Sequence, residues 1–521
     1  MIDSENRYLL AIDNGTQSVR ALLFDQHGLL HAKSKVDIQP YVSRQPGWAE
    51  QDPEYYWASL CTACEQLWPK LSVPRDSIVA VSVTTQRATL VALGKTGEPV
   101  YPAITWLDQR QVDTQPDLGM AESLLMRAVG AWGQVEHFHK QSEANWLARY
   151  EPALWQRVHK FLLLSGYHVY RLTGQFHDAV ASQVGYVPFD FKALQWADPK
   201  AWQWRAQTAT QSMLPTVLAA GETLGRISAV ASEQTGIPEG LPLIASGSDK
   251  ACEVLGSGCI DERTASMSYG TTATFNKVSV KYQEGIPFHP PYPGVVPGSY
   301  NIEMYVPRGY WMVSWFKNEF GFQEQQKADA AGVAAETLFD DLLKAVPPGS
   351  LGLTLQPYWS SGAVDTGPEA KGAIIGFGDV HTRAHLYRAL IEGLTYALRE
   401  GKERVEKRSK QSINTLRVSG GGSQSDEVMQ ITADIFGMEV QRPHTFETSG
   451  LGAAIAAAVG AGIYADFESA AAAMTHIGDR FTPNAEHQAT YQKLYSSVYL
   501  KMYKSLRPSY ASIRDITGYP R

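Results

Sequence analysis

The sequence predicts an α/β protein of two domains built on repeated β-hairpins, and three observations predict it. Apolar runs flank a glycine turn at the start: Tyr8-Leu-Leu-Ala-Ile-Asp13, then Asn14-Gly15-Thr16-Gln17-Ser18, then Val19-Arg20-Ala-Leu-Leu-Phe-Asp25. A comparable order returns at Thr264-Ala-Ser-Met-Ser-Tyr269-Gly270-Thr271-Thr272-Ala-Thr-Phe-Asn276. Later, strand-like Leu416-Arg-Val-Ser419 runs through Gly420, Gly421 and Gly422 into helical Glu427–Asp434. Short apolar runs bounded by turn residues and alternating with helical stretches are the pattern of mixed α/β domains.

The elements follow in order. Asp25-Gln-His-Gly28 makes a second turn leading to a third strand, so the opening reads as a meander. Gly47-Trp-Ala-Glu-Gln-Asp52-Pro53-Glu54 starts a helix: Asp52 suits the N-cap, Pro53 the first helical position, and Glu54 the positive helix end. That helix is expected to run to about Leu67. Ile78–Val83 reads as a buried strand ending at Thr84-Thr85-Gln86-Arg87, with a further strand at Thr89–Leu93. A strand at Leu241–Ala245 delivers Asp249 to a helix start, and the domain boundary is expected between Gly256 and Glu262. Residues 279–300, rich in Pro and Gly, read as a surface loop or lid. The second hairpin reads as a structural duplication of the first or as an independent hairpin.

The chain has 521 residues, room for two or more domains. With 44% hydrophobic and 19% charged residues it buries a large core without disulfides or metals. A net charge of −7 gives no reason to expect nucleic acid or an anionic membrane as partner. Asp3 and Glu5 stand where a secretion signal would carry Lys or Arg. The Ala- and Gly-rich stretch from Gly450 runs into Asp466 and reads as a buried helix rather than a membrane span. The expected setting is the cytoplasm. Cys61 and Cys64 form a C-x-x-C on a helix, away from Cys252 and Cys259. Without a second close pair, reduced half-buried thiols explain them more simply than zinc or redox chemistry.

Three polar turns and one aspartate carry the chemistry. In the first turn, Gly15 permits a close approach, backbone N–H groups and the hydroxyls of Thr16 and Ser18 suit phosphate oxygens, and ionised Asp13 suits Mg²⁺. The plainer alternative is a β-turn with Asp as turn-former. The same pair of readings holds for Gly270 and Thr271 in the second hairpin. Gly421, Gly422 and Ser425 precede a helix N-terminus, a favourable place for a nucleotide, or simply a capping loop with Ser425 or Asp426 as cap. The spacing is neither G-x-G-x-x-G nor a Walker sequence. Asp249 reads either as an N-cap or as a general base.

Taken together, these segments resemble the FGGY carbohydrate kinases, the family of glycerol kinase, xylulokinase and ribulokinase. The resemblance covers about Tyr8 to Gly460. It rests on Ala11-Ile-Asp-Asn-Gly-Thr16, Pro46-Gly-Trp-Ala-Glu-Gln-Asp52-Pro, and Tyr170-Arg-Leu-Thr-Gly174 with Asp178. Most specific is Gly372-Ala-Ile-Ile-Gly376-Phe, seven residues, then His385-Leu-Tyr-Arg-Ala389-Leu-Ile-Glu392. The resemblance implies two actin-like, ribonuclease-H-like domains, 1–258 for the sugar and 259–521 for ATP, with the nucleotide in the cleft between them. It implies ATP and Mg²⁺ as cofactors and a small polyhydroxy molecule as substrate, with a homodimer left open. Asp13 would sit on the Mg²⁺ side with Asp249. Thr16, Gln17, Ser18, Gly270 and Thr271 would face the phosphates, Gly421, Gly422 and Ser425 the nucleotide, and Asp249 would be the base. Arg87, Trp106, Asp108, Asp249 and Lys250 would meet the substrate. The alternative for Arg87 and Asp108 is a structural ion pair.

Departures bear on the substrate. Glycerol kinases resemble this chain at Gln86-Arg87 but carry Glu where Ala88 stands, and Gln where Lys250 stands. A glycerol hydroxyl would lose its acceptor, a cost of roughly 0.5–3 kcal/mol. Xylulokinases carry Met-His near Arg87-Ala88, while Asp108 is more like the ketose and polyol kinases. The resemblance therefore points to a ketose or sugar alcohol ahead of glycerol. An actin-like ATPase would have no use for the FGGY-like signature or the Arg87 and Asp108 segments. A non-catalytic sugar sensor would have no need of Asp13 and Asp249 together.

Overall fold

The computed structural model describes residues 7–359 and 366–519, so the acidic opening Met1–Asn6 lies outside the described residues. The chain divides into two compact units. One gathers the chain up to Ile260 with Ser279–Asn301 and Glu447–His476; the other takes Asp261–Val278, Ile302–Phe446 and the chain from Ile477. A single cut after residue 258 therefore does not describe the units, because two later segments pack with the first.

The first unit is built on a six-stranded sheet: β1 (Tyr8–Asn14), β2 (Ser18–Asp25), β3 (Leu30–Asp37), β4 (Ile78–Thr85), β5 (Thr223–Arg226) and β6 (Pro242–Ile244). Their order is β5-β6-β4-β1-β2-β3. β1 is antiparallel to β2 and parallel to β4, β6 is parallel to β4, and β5 is antiparallel to β6. Every residue of β1 is buried, as a central strand covered on both faces requires, whereas the edge strand β3 alternates between buried and exposed. Leu10, Ile12 and Leu23 pack on one face against Tyr56 and Leu60 of helix Pro53–Leu67 and Tyr167 of helix Leu164–Thr173. Asp52 caps the first of these, accepting the Glu54 N–H at 2.9 Å, with Pro53 in the first turn.

Leu9, Ala11, Leu22 and Phe24 pack on the other face against helices Asp249–Gly256 and Thr448–Gly460. The second helix is the Ala-rich stretch, and it is buried; among the described residues no helix is long and apolar enough to cross a membrane. These helices meet on glycines. A Cβ on Gly256 would lie 1.9 Å from the Thr448 carbonyl oxygen, and one on Gly452 would lie 1.9 Å from that of Cys252. Residues 279–300, expected as a surface loop or lid, also join this unit, with Tyr292 and Val295 buried in the same core. Leu90–Leu93 belongs to a separate four-stranded sheet.

In the second unit the strands are β7 (Thr264–Tyr269), β8 (Ala273–Ser279), β9 (Tyr300–Val306), β10 (Thr415–Ser419), β11 (Val440–Pro443) and β12 (Ile477–Phe481). Their order is β9-β8-β7-β10-β11-β12. β7 is antiparallel to β8 and parallel to β10, β11 is parallel to β10, and β12 is antiparallel to β11. That repeats the first unit's arrangement. The repeated hairpins are thus a duplication, although the outer edge strand precedes its neighbour in the first unit and follows it in the second. The four cysteines are free thiols. Burial pushes the Cys61 thiol up to about 11 and that of Cys64 higher, so both stay neutral.

Candidate active site

In the first unit the parallel strands β1, β4 and β6 end together, and the polar residues beyond their carboxyl ends form the site. The turn after β1 is fixed by the Gly15 N–H, which donates to the Ser18 carbonyl at 3.0 Å. Asn14 Oδ1, an acceptor only, accepts from His168 Nε2 at 2.9 Å, and burial lowers the His168 ring pKa to about 3 and keeps it neutral. Gln86 N–H donates to the Asn14 carbonyl, tying the end of β4 to this turn. Thr84 and Ser246 donate to the carbonyls of Gly247 and Val83, which ties β4 to the start of the Asp249 helix.

Asp249 does not cap that helix. Ser248 does, accepting the Ala251 N–H, because the cap must precede the first helical turn and Asp249 already lies inside it. The Asp249 carboxylate is therefore released from capping. It is half-buried and accepts the neighbouring Lys250 N–H at 2.7 Å. Burial raises its pKa above the ordinary carboxylate range, opposed by Lys250 and Arg87. Lys250 Nζ lies 2.5 Å from Glu253 Oε2. Arg87 stacks over Tyr292 at 5.0 Å.

Asp13 is buried, and its Oδ2 accepts from Arg20 at 3.0 Å. Its Oδ1 has no hydrogen-bond partner. Burial raises its pKa to about 6; Arg20 opposes this, and the charge of Asp249 adds to it. Two carboxylates close enough that the charge of Asp249 raises the Asp13 pKa, one with an unsatisfied oxygen, fit an oxygen-seeking dication such as Mg²⁺. Magnesium characteristically takes one or two carboxylates and completes its shell with water and phosphate. Among the described residues no group of three or more His, Cys, Asp or Glu is arranged to hold a metal ion.

At the turn itself Gln17 is exposed and Thr16 half-exposed, its hydroxyl accepting from Trp106 Nε1 at 3.0 Å. Ser18 is buried within β2, so its hydroxyl is not presented with theirs. Trp106 is 40% exposed and borders a cavity with Ala88, Asp108, Gln141, Glu143 and Tyr186. Asp108 forms an ion pair, but with Arg110 rather than Arg87. Its oxygens accept from Arg110 Nε at 2.8 Å, Arg110 Nη2 at 2.7 Å, Arg110 N at 2.9 Å and Ala49 N at 2.6 Å. Four donors occupy this carboxylate, so it is not the open acceptor for substrate hydroxyls that the sequence suggested.

In the second unit Gly270 and Thr271 form the β7–β8 turn, with Thr271 exposed and the Gly270 carbonyl accepting the Tyr310 N–H at 3.0 Å. The glycine run packs beside this turn. A Cβ on Gly420 would lie 2.8 Å from the Tyr269 backbone, and one on Gly422 would lie 2.5 Å from the Tyr310 ring. Gly422 is thus a buried packing glycine, and Gly421 is the one that stands exposed. Ser425 caps helix Asp426–Phe436 through the Val428 N–H and donates to Asp340 at 2.6 Å.

Sequence reasoning missed Arg20 and Glu143. Arg20 was within reach, since the hairpin register pairs it directly with Asp13. Nothing in the sequence marks Glu143, because an acidic residue in a first helical turn usually faces water.

The sequence model of the FGGY family of carbohydrate kinases, N-terminal domain, matches residues 8–256, and that of the C-terminal domain matches 265–461. The chain is 28% identical over 504 residues to a xylulose kinase of Lactococcus lactis, covering 96% of this chain and 97% of that one. It is 28% identical over 523 residues to an L-xylulose/3-keto-L-gulonate kinase of Escherichia coli, covering 98% and 99%. Among solved structures, the ligand-bound xylulose kinase from Lactobacillus acidophilus superposes with a TM-score of 0.80 at 21% identity, covering 97% of this chain and 100% of that one.

Proposed function

The chain belongs to the FGGY family of carbohydrate kinases, enzymes that phosphorylate small sugars or polyols, and from that premise we propose its reaction: transfer of the γ-phosphate of ATP to a hydroxyl of a ketose or sugar alcohol, with Asp249 as general base. The observation that carries this reading is the Asp249 carboxylate. It stands at a helix start yet is relieved of capping by Ser248, lies within electrostatic reach of Arg87, and its charge raises the Asp13 pKa. A base in that position takes the proton of the attacking hydroxyl as its oxygen bonds to phosphorus.

The other residues have supporting roles in the same proposal. Asp13 and Asp249 would hold Mg²⁺, which when bound neutralises phosphate charge. Thr16 and Gln17 in the first unit's turn offer donors to phosphate, and Gly270, Thr271 and Gly421, taken by themselves in the second unit, offer donors to a nucleotide. Arg87 donates to substrate hydroxyls, and Trp106 packs along a carbon skeleton. Ala88 supplies no side-chain acceptor next to Arg87 in the chain, which disfavours glycerol. The relatives' names include an uncharged ketose and a sugar acid, so those are the classes to separate.

The test is an ADP-release assay over ketoses, polyols, aldoses and sugar acids with the wild type and Asp249→Asn. The expected outcome is sugar-dependent release that falls by roughly 10²–10⁴-fold or more in the variant, while ATP still binds. Near-normal turnover in Asp249→Asn would remove the assigned base.

A further inference from the structure

The cavity of the first unit holds a group that the reaction above leaves unused. Glu143 starts helix Glu143–Tyr150, is 9% exposed, and lines the cavity beside Trp106, Asp108, Gln141 and Tyr186. Its Oε2 has no hydrogen-bond partner. A buried carboxyl oxygen left in that state costs stability, and a fold that keeps one has a use for it.

Among the described residues lining the cavity, Arg110 is the one cation. Its guanidinium donates to Asp108, lies 2.9 Å from Glu50, and is stacked on Trp48 at 4.1 Å and Trp146 at 4.6 Å. It is fully engaged and does not pair with Glu143. Burial raises the Glu143 pKa to about 8, with the Asp108 charge adding to it and the residue's own backbone N–H and the Arg110 charge opposing it, so at neutral pH the group is mainly protonated. A neutral carboxyl offers both an O–H donor and an acceptor oxygen.

We propose that Glu143 is a substrate-binding residue: it hydrogen-bonds an oxygen of an uncharged polyhydroxy substrate in this cavity and, together with Asp108, turns away sugar acids. The proposal rests on the carbohydrate-kinase reading above and names the substrate class of that site. A hydroxyl or ketone oxygen satisfies the Glu143 carboxyl. A substrate carboxylate placed against Glu143 would instead meet the Asp108 charge where Arg110, the one lining cation among the described residues, is already spent, and would be desolvated there without a partner.

Full-length wild type, Glu143→Met (similar length, no polar atoms) and Glu143→Gln (donor and acceptor kept) are compared on D-xylulose, xylitol and D-gluconate by ADP release and thermal melting. The wild type should favour an uncharged substrate over gluconate by about tenfold or more in kcat/KM. Glu143→Met should raise KM for that substrate about tenfold or more without changing KM for ATP. Its Tm should not fall, because no hydrogen bond to Oε2 is lost. Glu143→Gln should stay within about threefold of wild type. An unchanged KM in Glu143→Met, a lowered Tm there, or gluconate as the preferred wild-type substrate overturns the proposal while the kinase reading stands. Absence of turnover on every sugar, polyol and sugar acid overturns that reading and this inference with it.

Discussion

Asp13 is in an unstable electrostatic position. It keeps Arg20 as partner, yet burial and the neighbouring Asp249 hold its pKa near 6. An unfolded Asp ionises near the ordinary 3.8, so between that value and about 6 the folded state holds a proton the unfolded chain has released. Stability is therefore undiminished below the lower value, falls as pH rises through the window, and carries the full cost at neutral pH. Asp13→Asn should remove this cost, raising metal-free stability at pH 7 by about 1–3 kcal/mol, with no gain at pH 3. The same variant should lose turnover and the stabilising response to Mg²⁺. A melting series across pH with and without Mg²⁺ measures both effects, and a lower Tm at pH 7 would contradict the assignment of Asp13 as a strained ligand. The residues of this site were unevenly legible in the sequence. Asp13 and Asp249 stand beside turns whose composition announces them. Asp108 was visible as a polar residue, but its saturation by Arg110 and Ala49 depends on three-dimensional neighbours that no local pattern encodes.

At the scale of the element, the Asp249 helix owes its placement to glycine. Gly256 and Gly452 let two helix backbones approach where any side chain would collide with a carbonyl. Gly452→Ala should therefore destabilise by roughly 1–3 kcal/mol and lower kcat as the Asp249 helix shifts. Gly133, in helix Trp132–Gln141 with nothing within 4 Å of an added Cβ, is the control. There Ala should be neutral or stabilising by about 0.5–1 kcal/mol. Equal effects at the two sites, read by denaturant melts, would show that close packing is not what Gly452 supplies. Strands and capped helices were legible because they obey local rules: Asp52-Pro53 begins a helix, and the turn residues end strands. The contact between helices Asp249–Gly256 and Thr448–Gly460 was not, because it joins distant segments whose only shared mark is small side chains.

For the whole molecule, the duplicated sheet order was only weakly legible, since the halves share burial and strand direction more than residue identity. The split of the chain into units was less so. A chain ending at residue 258 lacks the Ala-rich helix that covers Leu9, Ala11, Leu22 and Phe24. Such a fragment should bind a hydrophobic dye and elute as aggregates on gel filtration. A monomeric fragment with a cooperative melt would show that this face does not need its cover.

That late cover has a consequence for synthesis. Glu447–His476 is synthesised long after β1 and β2, a wait of roughly 20–80 s at ordinary elongation rates. During that interval one side of the nascent sheet has no native partner, so newborn chains should be most vulnerable to chaperone capture or misassembly before the alanine helix emerges, and slowing translation upstream of it should lower soluble yield.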